Sequence, residues 1–236
     1  MATVTAARVS RVSFWARMTI GLSLFIVFGF AQFALRGFVP YMQVPIVFHV
    51  HGAVMLAWLG LAVTQALLAR GAGRELHRRL GWASAVMLPT IIVLASMTCL
   101  AALRAGFFPP MFTPAYFLAL VHVGIIVFAT LVMAAVARRN EGDWHKRLMV
   151  GSMIVIMEPA LGRVLPMPLL APWGEWLVMA VQLGVVALIA RHDRRERGHV
   201  HPATAAVAVA VVLAHVLIEL LAISPPWIAF ASQFTA

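Results

Sequence analysis

The feature that most constrains this chain is a series of seven apolar stretches, at 18–36, 45–69, 80–103, 115–137, 147–165, 174–190 and 203–222. A helix of ~20 apolar residues spans the hydrocarbon core of a bilayer, so each stretch is long enough to cross once or nearly so. Only 11% of the residues are charged, against about 25% in a soluble domain. The sequence therefore predicts an all-α integral membrane bundle of seven transmembrane helices. It forms a single domain over 1–236 with little chain left for anything soluble. The first stretch follows Arg8, Arg11 and Arg17 as a signal peptide would. It is longer than the ~7–15 apolar residues of a signal sequence and no small-residue cleavage pattern follows, so it reads as a retained helix.

The formal charge of +10 is an orientation signal and gives no reason to expect a nucleic-acid partner. With the amino terminus in the cytoplasm, 15 of the 18 basic residues fall on the cytoplasmic side. Only Arg36, Arg104 and Arg163 lie opposite. That asymmetry is the positive-inside pattern, and any surplus attraction is for anionic lipid headgroups. It puts the carboxyl terminus outside. Cys99 is the only cysteine, so no internal disulfide forms, and it reads as a small packing residue. The only lysine, Lys146, lies at an inner loop, which excludes a retinal Schiff base in the last helix.

Two segments of the chain share a pattern. His51 heads an apolar run that ends in His77-Arg78-Arg79-Leu80, and His122 heads another that ends in His145-Lys146-Arg147-Leu148. Ser84 and Ser152 each follow the second histidine by seven residues, and Pro89 and Pro159 come next. The expectation is a duplicated hairpin, with units 45–103 and 115–165 making a four-helix core and helices 1, 6 and 7 packed around it. Both hairpins run in the same direction, as in a parallel repeat.

Ionisable groups inside a span are costly and mark functional sites. At ~1.5 Å per residue, His51, His122, Glu158 and His215 fall in one layer of the outer leaflet. Gln182 lies at a similar depth, and Glu219 is one turn beyond His215. His77 and His145 form a second pair at the inner boundary, where interfacial anchoring explains them equally well. His49, His192, His199 and His201 read as solvated or headgroup residues.

Three chemistries compete for these groups. Haem b needs two imidazoles on facing helices at one depth. His51 with His122 meets that condition, His77 with His145 offers an inner site, and Gly52 and Gly124 would let a porphyrin approach the backbone. Two such haems would carry electrons across the membrane to a redox partner, with inner propionates near Arg78, Arg79, Lys146 and Arg147. The alternative is a catalytic zinc, copper or iron centre held by His51, His122 and His215, with Glu158 as fourth ligand or general base. A transporter or proton relay, or an accessory subunit of a membrane complex, is the third.

The string from His51 through Gly81, with the later run from His145 to Pro166, resembles a group of uncharacterised bacterial multi-spanning membrane proteins. Their H-x-R-L elements correspond to His77-Arg78-Arg79-Leu80-Gly81 and His145-Lys146-Arg147-Leu148-Met149, followed by Gly162-Arg163. That resemblance covers about half the chain and implies a bacterial inner membrane but no known activity. One histidine on each of four consecutive helices is more distantly similar to the ascorbate-linked transmembrane di-haem b-type cytochromes. The similarity implies pairing of His51 with His122 and of His77 with His145. His77 and His145 depart from it by lying at the start of their helices.

Overall fold

In the computed structural model, residues 12–38, 42–69 and 73–235 are described; Arg8, Arg11 and Arg70 of the charge pattern lie outside them. The described residues contain no strand. Among the described residues, six helical segments are long and apolar enough to cross a membrane. They are α1 (Phe14–Leu35), α2 (Ile46–Leu68), α3 (Arg74–Gly81) continuing into α4 (Ala83–Ala105), α5 (Pro114–Ala137), α8 (Gly174–Arg197) and α9 (Pro202–Ala222). The remaining expected span divides into α6 (Gly142–Ile156) and α7 (Glu158–Val164), and a short α10 (Pro225–Ala231) follows α9.

The starts follow local chemistry. Ser13 and Thr113 accept the backbone N–H groups of Ala16 and Tyr116, both at 3.1 Å, as N-caps do. Pro114 and Pro202 sit in the first turns of α5 and α9, where their missing N–H is no loss. The division at Met157 traces to Pro159. Proline cannot donate to the carbonyl four residues back, which is that of Val155, and α7 restarts one residue before it.

α5 is the centre of the bundle. Its largest contacts are with α6 and α9, and α4 packs on another side. α1 lies against α2, α6 and α7. A Cβ at Gly29 of α1 would stand 2.8 Å from Ala160 Cβ of α7, so the two backbones cross closely. Of the expected four-helix core of helices 2–5, successive members do touch, but α9 shares the centre with them and α2 packs chiefly on α1, α3 and α4. α2 reaches α5 through an edge-to-face pair, Trp58 on Phe128, with ring centroids 5.4 Å apart. Apart from Trp58 and Leu59, α2 has no buried residue.

The adjoining ends of α6, α8 and α9 are bolted by charge. Arg147, only 3% exposed, donates Nε (3.0 Å) and Nη2 (2.5 Å) to Oδ1 of Asp193, which is fully buried. Oδ2 of Asp193 accepts the His201 backbone N–H at 3.1 Å and the Thr204 hydroxyl at 2.6 Å. Asp143 joins Lys146, Arg147 and Arg197, and these cations, Lys146 foremost, hold its carboxyl well below the usual carboxylate range. The region expected to be a solvated loop from Arg191 to His201 is therefore mostly helix and partly core. His201 is buried and His192 stacks on Phe14 at 3.8 Å; His199 is exposed, as expected. Arg147 is an ion-pair partner inside the protein, which leaves it poorly placed to meet a propionate.

Candidate functional site

Two clusters carry the imidazoles. The first is at the loop end of the two hairpins, where α2 meets α3 and α5 meets α6. His77, in the first turn of α3, donates Nδ1–H to the Gln65 carbonyl at 3.1 Å. His145, in the first turn of α6, donates Nδ1–H to the Ala135 carbonyl at 2.8 Å. Each thus reaches back to the last turns of the preceding helix. The two rings lie 6.2 Å apart, centroid to centroid, at an interplanar angle of 85°. The hairpins agree further down: Ser84 Oγ donates to Gly81 O and Ser152 Oγ to Met149 O, each three residues back.

A histidine whose Nδ1–H is held by a backbone carbonyl presents Nε2 as a free ligand in a fixed orientation, the arrangement common to metal-bound histidines. Two imidazoles bound at ~2 Å on opposite sides of one metal ion would have centroids roughly 6 Å apart. The observed centroid separation of 6.2 Å is of that size, in an edge-to-face contact.

The outer pair is arranged differently. His122 on α5 donates Nδ1–H to Leu118 O at 2.9 Å, and its Nε2 accepts the Ser96 hydroxyl of α4 at 3.0 Å. Both nitrogens are engaged, so Ser96 must turn away before Nε2 can bind anything else. His51 on α2 has a buried Nδ1 with no hydrogen-bond partner among the described residues. Trp58 Nε1 and Gln65 Oε1 are also buried and unpartnered. These three residues recur every seventh position and so share one face of α2. A Cβ at Gly52 or Gly124 would meet nothing within 4 Å.

The second cluster joins α5, α6, α8 and α9. His215 is 2% exposed; its Nδ1 lies 2.5 Å from Glu175 Oε1 and its Nε2 lies 2.8 Å from Gln182 Oε1. The Tyr116 hydroxyl donates to Glu175 Oε2 at 2.5 Å. Gln182 Nε2 donates to Ile154 O at 2.9 Å and lies 3.4 Å from Val155 O. The carbonyls at the Pro159 break thus receive a side-chain donor from α8, as a broken helix in lipid requires. A cavity of about 280 Å3 adjoins Tyr116, Glu175 and Glu219 and is walled by Phe112, Met167 and Ile223 among others.

The expected metal set does not assemble. His215 is held by Glu175 and Gln182, His122 by Ser96 and Leu118, and among the described residues no group of three or more His, Cys, Asp or Glu is arranged to hold a metal ion. Glu158 stands near Glu175 and Arg163 instead. Sequence reasoning passed over Tyr116 and Glu175. Glu175 carried the available signal, being an acid at the start of an apolar span.

These features define a class: an all-helical protein of apolar helices, compatible with a bilayer, with imidazole and carboxylate groups buried between them. Comparisons with known protein families, curated proteins and solved structures find no match.

Proposed function

We propose that this is a seven-span protein of a bacterial inner membrane that binds haem b between paired histidines and transfers electrons to or from a redox partner. α6 and α7 together supply the seventh crossing, the amino terminus is cytoplasmic, and the two hairpins descend from one duplicated unit. The observation that carries the reading is the His77–His145 pair. Its rings are 6.2 Å apart and both Nδ1–H groups are fixed on backbone carbonyls. His51 and His122 are the candidate ligands of a second, outer haem, for which the unpartnered His51 Nδ1 and the open space beside Gly52 and Gly124 speak. Ser96 on His122 speaks against it.

When bound, haem supplies one-electron transfer, at a potential set by its axial ligands and burial. The protein's part is to hold the imidazoles in one tautomer, through Gln65 O and Ala135 O. The test is the reduced-minus-oxidised spectrum of protein purified from haem-replete cells. A b-type alpha band that weakens in both His77→Ala and His145→Ala is expected. Absence of any haem band, or a band indifferent to both changes, refutes the assignment.

A further inference from the structure

We propose that the Tyr116–Glu175–His215–Gln182 chain is a proton-binding site that exchanges one proton with the outer aqueous face through the adjoining cavity. The argument starts at Gln182. Its amide nitrogen donates to Ile154 O, so the reverse orientation would set oxygen against oxygen, and Oε1 must face His215. An amide oxygen only accepts, so His215 Nε2 carries hydrogen. The Nδ1 contact with Glu175 Oε1 at 2.5 Å also needs a proton between two heavy atoms. A neutral imidazole has one N–H, and here it is already used. The pair therefore holds one proton more than a neutral histidine beside a carboxylate, either as imidazolium and carboxylate or as imidazole and carboxylic acid.

Access to that proton is one-sided. Tyr116, Glu175 and Glu219 line the cavity. Glu219, one turn beyond His215 on α9, has no hydrogen bond among the described residues and is the natural entry group. On the far side the chain ends on the carbonyls of Ile154 and Val155, which can neither take nor pass a proton. The site can be loaded and unloaded from outside, but it is not a channel.

Unloading moves a proton from the His215–Glu175 contact to Glu219 and then to cavity water, leaving neutral His215 and ionised Glu175. Nδ1 then presents a lone pair to a carboxylate oxygen, so the contact between α8 and α9 must open. The charged and titratable groups facing the pair are Tyr116 from α5, Glu158 from α7 and Glu219 from α9, with Arg163 of α7 acting on Glu158. With three acids near one arginine, a proton on the pair relieves crowding of negative charge.

The test uses the full chain in lipid bilayers with 15N-labelled histidine, and His215 is assigned from the His215→Gln spectrum. As the pH is raised, Nε2 is expected to stay protonated while Nδ1 loses its proton. In oriented vesicles the change should follow outer and ignore inner pH. Glu219→Gln should slow the exchange by roughly tenfold or more, as loss of a positioned acid–base group does, without altering the Nε2 signal. An Nδ1 that stays protonated throughout marks the pair as a fixed ion pair and overturns the proposal, as does a response to inner pH. Both decisive readings are taken on wild-type protein, and a His215→Gln spectrum that loses one histidine signal and keeps the others shows that the assigning variant is folded.

Discussion

Removing the Asp193 carboxylate should be among the most damaging single changes available in this protein. Asp193 is fully buried and accepts four hydrogen bonds: two from Arg147, one from the His201 backbone and one from Thr204. Breaking a buried ion pair by deleting one partner costs about 3–5 kcal/mol, because the other charge is left stranded. In Asp193→Ala the stranded group is Arg147, which keeps Nη1 on Asp143 (2.8 Å to the carbonyl and 3.1 Å to Oδ1). It also keeps the Trp15 ring at 4.8 Å. Those contacts place the loss at the lower end, about 3 kcal/mol, by the same range. Arg147→Met strands a carboxylate whose remaining donors are one hydroxyl and one N–H, and should cost more, toward about 5 kcal/mol. At about 2–4 °C per kcal/mol for a chain of this size, Asp193→Ala should lower the melting temperature by on the order of 10 °C. The assay is thermal unfolding of purified protein in one fixed lipid–detergent mixture, followed by near-UV circular dichroism. The double variant Arg147→Met/Asp193→Leu should recover much of the loss, since a well-packed apolar pair can replace a buried ion pair. A loss for Asp193→Ala below about 1 kcal/mol, the scale of an exposed pair, would refute the reasoning, and so would a double variant as poor as the sum of the two singles.

Gly29→Val should destabilise by about 1–3 kcal/mol, the cost of overpacking, because even a Cβ there meets Ala160 at 2.8 Å and its carbonyl at 3.0 Å; Gly21→Val, with nothing within 4 Å, is the control in the same melt. Acidification should loosen the start of α9. His201 Nδ1 accepts the Ala203 N–H, and burial, then the charges of Arg147 and Arg197, keeps this imidazole below its ordinary value. Its contribution is present above the unfolded value of about 6.5 and is lost as pH falls below it, so amide exchange at Ala203 and Thr204 should rise on acidification in wild type and not in His201→Asn, whose amide oxygen caps without titrating. Pro159→Ala should close the α6–α7 break by restoring a donor to Val155 O; the expected readout is a shifted His215 15N resonance, since Gln182 then competes with that donor for Val155 O and keeps only Ile154 O to itself, and an unchanged resonance would refute the coupling.

The helices were legible because lipid imposes a length and a composition on each one. Where the apolar run was uninterrupted, at α1, α2, α5 and α9, the expected and observed limits agree closely. The exception at Met157 was also written in the sequence, as Pro159, but its consequence was not. Pro89 lies inside α4 without dividing it, so a proline alone does not decide between a bend and a break. Contacts from another helix matter, and Gln182 supplies one for the carbonyls beside Pro159. The same limit explains the inner charges. Arg147 and Arg197 read as two more cytoplasmic cations; Asp143 stands one helical turn before Arg147 and was there to be read, but nothing along the chain brings Asp193 to Arg147 or Asp143 to Arg197. Depth in the membrane was readable by counting residues; direction around each helix was not. His51, His122 and His215 do share a leaflet by count, yet His122 turns to α4 and His215 to α8.

That difference in direction separates two jobs that the sequence merged. Counting depth groups His215 with His51 and His122, which makes a three-histidine metal centre attractive. Hydrogen bonding separates them. The donors and acceptors around His215 come from side chains, Glu175, Tyr116 and Gln182, and they fix where protons sit. Those around His77 and His145 come from backbone carbonyls, Gln65 O and Ala135 O, which fix tautomer and orientation but cannot exchange protons. A carbonyl-anchored imidazole with Nε2 unclaimed is suited to holding a metal, and one hydrogen-bonded at both nitrogens is suited to holding a proton. The Pro159 break links the two. It ends the helix that begins near His145 and exposes the carbonyls that orient Gln182, and through it His215. In one half of the proposed duplication, α6 thus bears a histidine of the carbonyl-anchored pair near its start and the anchor of the His215 chain at its end. The other half, with α4 unbroken through Pro89, has the histidine alone.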